Sequence, residues 1–448
     1  MENKKTESDF FYSFDRNYSA KIHFKKPDKY REIENLSKIE NNIISSGSNL
    51  SYSPLSFGEG SLSVILRKFN RIINFNKQKK EITVEAGMTL SELLNFTLKH
   101  NLWIPQIPGY PSITLGGAVA TNAHGKSCAT HGTIRNSVKN ILIFHKKNGW
   151  LNLSDQENKE IYELTLGGLG LTGSIVNITF RLLDLNNKSF TTKKIYVSST
   201  PKCIKLLKSK SSENKSFVYS WNMADSINNL GKGIIFENIP NPAEDAEENI
   251  RSINIPNKTF MNFSYFYFNL WNKISIKIVN RIFNYFHLLR KDGNKEDFTK
   301  VLFPFCGNES YFYFFGSNGF LESQLLIEEN KVEEFFEEFK YLFKLHNPTI
   351  SLLSFKNMSG SQKFLRFEDN KICITIDYIK NKRNIKFMEE IDKICEKYKI
   401  LPSIIKDSRL GKSTFENCYN DLENFKKQLY FFDKERIYKS QTSKRLGI

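Results

Sequence analysis

The residues in this chain best suited to chemistry are its clustered glycines, one histidine and a few lysines. Ten of the 23 glycines fall between Gly109 and Gly173, so the backbone there turns tightly or approaches something closely. Two loops in the chain, 46–51 (Ser-Gly-Ser-Asn-Leu-Ser) and 114–125, have the composition that turns several backbone N–H groups toward one diphosphate. His124 lies in the second loop between Ala123 and Gly125, with Lys126 next. Lys406 follows Ile404-Ile405 and opens the run Lys406-Asp407-Ser408-Arg409. A lysine at a strand end is ordinarily solvated; one held against an anion binds phosphate or stabilises developing negative charge. Cys373, between two isoleucines, has the setting of a small buried hydrophobe. The six cysteines (Cys128, Cys203, Cys306, Cys373, Cys395, Cys418) form no CxxC pair. They read as the reduced thiols of a cytoplasmic protein, and neither a disulfide frame nor a metal site is expected.

One motif misleads. Residues 168–173, Gly-Leu-Gly-Leu-Thr-Gly, fit GxGxxG. A Rossmann fingerprint must open a helix whose N-terminus holds the pyrophosphate. The residues that follow, Ser-Ile-Val-Asn-Ile-Thr-Phe, are β-branched and alternating, which predicts a strand. A Rossmann-type nicotinamide site is therefore excluded, and no GxxxxGK[ST] loop exists.

The elements that must position these residues form two sets. In the first half, 43–52 reads as a strand entering a loop. Residues 72–75 and 82–85 read as two strands across a polar turn. Thr89-Leu90-Ser91-Glu92 is a capping box opening a helix with Leu90, Leu93, Leu94 and Leu98 on its apolar face. That helix ends near Asn101, before a proline-rich segment, and the strand 174–183 closes the unit. In the second half, strands at 320–327, 350–355, 372–378 and 400–405 and helical stripes at 332–343 and 387–398 follow the order β-α-β-β-α-β, the split-βαβ arrangement. Between them, 188–300 is less regular. It includes an aromatic-basic stretch, 260–290, in which Trp271, Ile274, Ile278, Ile282 and Phe286 mix with Lys273, Lys277, Arg281 and Arg290. This stretch reads either as a core-packing helix or as an interfacial helix or lid at a membrane. The fold class is α+β in two domains, with 12–186 as the first, 187–400 as the second, and 401–448 as a segment returning to the site.

The composition bounds the function classes. With 40% hydrophobic and 25% charged residues the chain is a globular protein. No window approaches 18 uncharged apolar residues, so no transmembrane helix is expected, and the polar start, 1–9, lacks the apolar core of a signal peptide. The net charge of +17 invites a polyanion. The basic residues are spread along the chain among abundant Asn, Ile and Phe, however, a pattern A/T-rich coding produces. Nucleic acid is therefore not the expected partner, and an anionic surface or substrate fits better.

Taken together, the loop 46–52, Val84-Glu85-Ala86-Gly87, Pro108-Gly109, the segment 115–126 (Leu-Gly-Gly-Ala-Val-Ala-Thr-Asn-Ala-His-Gly-Lys) and 167–176 resemble a known family. It is the flavoproteins with the vanillyl-alcohol-oxidase (PCMH) type of FAD-binding domain. The resemblance covers 26 to about 185 in the family's order and spacing. It implies FAD bound by Ser46, Gly47, Ser48, Asn49, Leu50, Ser51, Pro108, Thr114, Gly116, Gly117, Asn122, Gly125, Gly132, Asn136, Gly173, Ile175 and Lys406. Relatives with a flavin-linked histidine carry it near position 50, where this chain has Leu50, so the FAD is expected to be non-covalent. The first loop departs from the family in having fewer glycines and no arginine at position 50.

Within that family the chain most resembles the decaprenylphosphoryl-ribose 2′-oxidase group, through His124-Gly125-Lys126, Ile372-Cys373-Ile374 and Lys406-Asp407-Ser408-Arg409 with its tail. The resemblance implies an FAD-dependent oxidoreductase acting on CH–OH groups. It would oxidise C2′ of a polyprenyl-phosphoryl ribose as the first half of an epimerisation to the arabinose lipid, in cell-envelope synthesis. Lys406, Tyr52 and His124 would be catalytic, with Lys406 or Tyr52 taking the hydroxyl proton. Gln324, Lys356 and Cys373 would line the substrate pocket, and His131 is structural. A short-chain-type reductase is the implied partner, and the implied place is the cytoplasm, at the inner membrane surface. The rivals are a sugar-lactone or alditol oxidase of the same superfamily, whose His-Trp-x-Lys type motif is absent near this C-terminus, and a flavin-less protein binding at a membrane surface.

Overall fold

The computed structural model describes residues 7–39, 42–185, 189–212, 217–241, 254–256, 269–289 and 293–448. Its first half holds β1 (Glu7–Tyr12), β2 (Ser19–Lys25), β3 (Ile43–Ser46) and β4 (Leu62–Ile65) in one sheet, ordered β1-β2-β4-β3, with β4 parallel to both neighbours. There follow β5 (Ile72–Asn76), β6 (Glu81–Glu85), β7 (Leu102–Trp103), β8 (Val138–His145), β9 (Gly149–Ser154), β10 (Ser174–Arg181) and β11 (Leu183–Asp184). Five of these make an antiparallel sheet, β5-β6-β10-β8-β9, while β7 pairs with β11. The alternation that predicted a strand after Gly173 is what closes this sheet. Ile178 of β10 faces Val84 on one side and Ile141 on the other, and all three are buried. The capping box forms as predicted: Thr89 N donates to Glu92 Oε2 at 2.6 Å and Glu92 N to Thr89 Oγ1 at 3.2 Å, opening helix Leu90–Thr97.

The second half builds one large sheet from β12 (Ser189–Val197), β13 (Phe217–Asn222), β14 (Gly233–Pro240), β15 (Asn294–Asp297), β16 (Phe320–Ile327), β17 (Ile350–Asn357), β18 (Ile372–Ile379) and β19 (Leu401–Pro402). Its order is β15-β12-β14-β13-β17-β18-β16-β19. The predicted split-βαβ unit is the part β17-β18-β16-β19. Helices Val332–His346 and Lys382–Tyr398 bury Phe335, Phe339, Phe387 and Ile391 in the same core as Leu325 and Ile376. The middle region, read as irregular, instead supplies four strands that extend the same sheet across the β13–β17 contact, Asn222 facing Leu353. Of the aromatic-basic stretch, Lys273–Leu289 is a helix; 260–268 and Arg290 lie outside the described residues.

The strand from Ile43 ends at Ser46 and gives way to the loop, as expected, whereas the last strand, expected over 400–405, spans only Leu401–Pro402. The cause of that difference is visible. Ser53 N takes the Ile405 carbonyl at 3.0 Å and Ser53 Oγ takes that of Ile404 at 2.6 Å, while Lys406 N and Asp407 N both bond Ser403 O. The chain therefore leaves the sheet in a turn, and Lys406 stands on that turn beside the loop carrying Tyr52. Further on, Ile43 N bonds Ile437 O and Gln441 N bonds Phe57 O, which returns the C-terminal segment to the first sheet.

Candidate active site

A cavity of about 980 Å³ lies between the glycine loops of the first half and one face of the large sheet, with helix Lys273–Leu289 along another side. Its two walls differ in kind.

The first wall is backbone. Beyond Ser46 the chain runs through Asn49, whose φ is +53°, a positive-φ residue of the sort from which amide nests are built. The amides of Gly47, Ser48, Asn49, Leu50 and Ser51 have no protein acceptor among the described residues, and neither has the buried Ser51 Oγ a partner there. Five consecutive unpaired donors call for an acceptor from outside the chain. Gly47 is required here, since a Cβ would stand 2.1 Å from Thr114 Oγ1, where the two loops touch. Gly173, at φ +131°, brings the start of β10 against the Phe144 carbonyl, 2.7 Å from where a Cβ would be. The second loop behaves differently from expectation. The amides of Leu115, Gly116 and Ala118 are taken by the carbonyls of Met88, Ala86 and Thr114, and that of Gly117 by Thr114 Oγ1. Gly116 and Gly117 therefore offer a close approach rather than free donors. The free amides on that side belong to His124, Gly125 and Lys126, again among the described residues.

The second wall is side chain. Alternation along β16, β17 and β18 sends Glu322, Gln324, Ser354, Lys356, Thr375 and Asp377 into the cavity. His124 is placed by two of them: its Nδ1 lies 3.0 Å from Lys356 Nζ and its Nε2 3.2 Å from Gln324 Oε1. An ammonium donates to Nδ1, so the tautomer is N–H at Nε2, donating to Gln324. Burial, then the charges of Lys356 and Lys406, hold the His124 imidazole well below its ordinary range, and it is neutral. Lys406 Nζ lies 3.5 Å from the centroid of the Tyr52 ring and 3.4 Å from Glu322 Oε1. Asp377 accepts from Tyr311 Oη at 2.8 Å and hydrogen-bonds Glu322. Burial and then the Glu322 charge push the Asp377 carboxyl well above the usual carboxylate range. Asp377 Oδ1 has no donor among the described residues, and Glu322 stands directly across from it in the register of β16 against β18. Lys126 lies 3.7 Å from the centroid of the Tyr219 ring. Burial, with Lys356 next in weight, lowers it to about 7. The result is a cationic corner (Lys126, Lys356, Lys406) facing an acidic pair.

Every residue expected to bind the cofactor lines this cavity except Asn122, Gly132 and Asn136. Asn122 Nδ2 donates to buried Glu368 at 3.0 Å, alongside Thr133 Oγ1 at 2.6 Å and Arg135 Nε at 2.6 Å. A buried carboxylate needs those donors, so Asn122 clamps the loop from behind. Asn136 is held by the His131 carbonyl, and Gly132 packs against it. Cys373 shares its strand face with Thr375 and Asp377 but lies beyond the cavity, fully buried, its thiol pushed up to about 12 by burial. Tyr52 lines the cavity, and burial followed by Glu322 and Asp377 raises its hydroxyl well above 10. A phenol held protonated in this way is a poor proton acceptor, so Tyr52 is placed as the platform under Lys406. Sequence reasoning missed Glu322, Asp377, Tyr311 and Lys126. The first two were within reach, because each is an even number of residues from a residue already assigned to the pocket, Glu322 from Gln324 and Asp377 from Cys373.

The residues present fit FAD: a run of unpaired amides for a diphosphate, glycine approaches beside it and a large cavity. Residues 32–154 match the family model described as an FAD binding domain. Over 439 residues, 91% of this chain and 89% of the relative, the sequence is 24% identical to decaprenylphosphoryl-beta-D-ribose oxidase of Mycolicibacterium smegmatis. The chain is an FAD-dependent oxidoreductase. Residues 32–154 hold its FAD binding domain. The oxidoreductase is also similar to L-gulonolactone oxidase of Bos taurus, 25% identical over 34% of this chain and 35% of that one. Against L-galactono-1,4-lactone dehydrogenase 2 of Oryza sativa it is 26% identical over 39% of this chain and 29% of that one. Among its described residues no helix is long and apolar enough to cross a membrane.

Proposed function

We propose that this flavoprotein oxidises the C2′ hydroxyl of a polyprenyl-phosphoryl ribose to the keto sugar, the first half of an epimerisation completed by a short-chain-type reductase. The observation that carries the reading is the reach of the similarity. It runs through 91% of the chain for the ribose oxidase and stops at 34% and 39% for the two lactone-oxidising relatives. The site supports it, since the three lysines gathered at one corner of the cavity, Lys126, Lys356 and Lys406, suit a phosphate, and its apolar lining suits the hydrocarbon chain that carries it. On this reading 12–186 holds the flavin without a covalent bond, 187–400 holds the substrate, and 401–448 brings Lys406 back between them.

The chemistry that bound FAD would supply is a two-electron acceptor for the carbinol hydrogen. The chain's own residues manage the proton and the charge. Lys126 and Lys356 hold the phosphate. Neutral His124, fixed by Lys356 and Gln324, shapes the wall next to the reacting carbon. The Glu322–Asp377 pair receives the hydroxyl proton, and Lys406 stabilises the negative charge that develops.

The test is the visible spectrum of the purified protein, kept anaerobic, before and after polyprenyl-phosphoryl ribose is added. Bleaching of the flavin band by that substrate and not by L-gulonolactone supports the reading; bleaching by the lactone alone replaces it with the lactone oxidase. Mild denaturation should release the flavin into the supernatant, and flavin that stays on the polypeptide would contradict the non-covalent mode.

A further inference from the structure

Helix Lys273–Leu289 is amphipathic in a way that packing within this chain does not use up. Its inner side belongs to the cavity: Ile276 is buried, Phe283 stacks on Trp221 at 5.0 Å, and Asn280 Nδ2 donates to Asp225 Oδ2 at 2.9 Å. On the opposite side Ile274, Ile278, Ile282, Tyr285 and Leu289 recur at intervals of four and three, the spacing of one helical stripe. They remain exposed, Ile274 at 72% and Leu289 at 64%. Lone exposed apolar residues need no explanation, but a contiguous stripe of this length does. Lys273, Lys277 and Arg281 run along its edge, and the helix contains no acidic residue. The same three cations, with Ile274, Ile278 and Lys344, line a second hollow of about 610 Å³.

We propose that this helix is a membrane-docking surface: its outer stripe enters the acyl boundary of an anionic bilayer while the flanking cations and the adjacent hollow receive lipid headgroups. The charge pattern selects this occupant. A second copy of the chain would bring cations against cations at the same face, whereas an anionic leaflet attracts them. A wide apolar face with a basic border, on a helix that is not long and apolar enough to cross a membrane, marks one that lies in the interface plane rather than spanning it. Because its inner side lines the cavity, the docked helix places the substrate site directly under the membrane surface. That purpose rests on reading the substrate as a lipid-linked sugar; the docking itself does not.

The experiment is cosedimentation of the full-length, FAD-loaded protein with vesicles of phosphatidylcholine alone or mixed with phosphatidylglycerol. Binding is expected only to the mixed vesicles, weakening as salt rises. The double variant I278D/I282D should bind at least about ten-fold less, and K277E/R281E about five-fold less per charge removed. All four positions face outward, so an unchanged flavin spectrum certifies the fold. Equal binding by wild type and I278D/I282D, equal binding to both vesicle types, or a wild-type dimer in solution that I278D/I282D splits without any vesicle binding would each overturn the proposal. Intact vesicle binding with a flavin that polyprenyl-phosphoryl ribose leaves oxidised would instead overturn the substrate reading and leave the docking surface standing.

Discussion

The two walls of the cavity solve recognition by different means. The loop 46–51 works with main-chain amides, so its side chains are free to vary: Leu50 stands where the resembled family usually has arginine, yet the donors that would face a diphosphate are all present. The face of β16, β17 and β18 works with side chains, and there each partner depends on the next. Lys356 fixes His124, His124 fixes Gln324, and Gln324 Nε2 reaches Thr375 Oγ1 at 3.1 Å. A backbone site is robust to side-chain substitution and fragile to a Cβ; a side-chain network is the reverse.

That contrast is open to attack at several points. The largest effect is expected at Lys406. Lys406→Ala should lower kcat by about 10²–10³-fold, the scale of losing one charge-stabilising donor, while the flavin stays bound; a rapid-mixing measurement of flavin reduction reads both. Asp377→Asn keeps the shape but cannot share the proton, so reduction should slow by about 10²-fold or more. A rate within two-fold of wild type would remove the acidic pair from the mechanism.

On the backbone wall, Gly47→Ala should weaken flavin retention with little change in the reduction rate of whatever holoenzyme remains. The overpacking against Thr114 costs about 1–3 kcal/mol, measurable by flavin titration of the apoprotein. Ser48→Ala and Leu50→Ala, by contrast, should each shift flavin affinity by less than about 1 kcal/mol. A larger loss would show that the loop reads the cofactor through side chains after all.

A separate effect concerns pH. With Lys126 lowered to about 7, its ammonium form is lost as pH rises through 7, so binding of a phosphate-bearing inhibitor should weaken by up to ten-fold per unit above 7. Lys126→Met should flatten that dependence. Stability moves the other way. Between pH 7 and the ordinary lysine value the unfolded chain carries more protons than the folded one, so the apoprotein gains stability as pH rises through that window. Thermal melts of wild type and Lys126→Met across it should converge at the alkaline end.

The local grammar of the chain is legible in neighbouring residues. Thr89 and Glu92 form a cap whoever their neighbours are, because the reciprocal bonds close within one turn. The β-branched alternation after Gly173 makes a strand whatever motif precedes it. The split-βαβ order follows from periods of two and of three to four residues that any window reveals. Which polar side chains meet, by contrast, is set by long-range packing. Glu322 and Asp377 become partners through the register of β16 against β18. Asn122 turns away from the cavity because Glu368, 246 residues on, needs its amide. Lys406 reaches the Tyr52 ring because Ser53 claims two carbonyls that the last strand would otherwise have kept. Short-range hydrogen bonding and hydrophobic period are written in neighbouring residues. Long-range charge pairing depends on strand register and loop closure, which no local window contains.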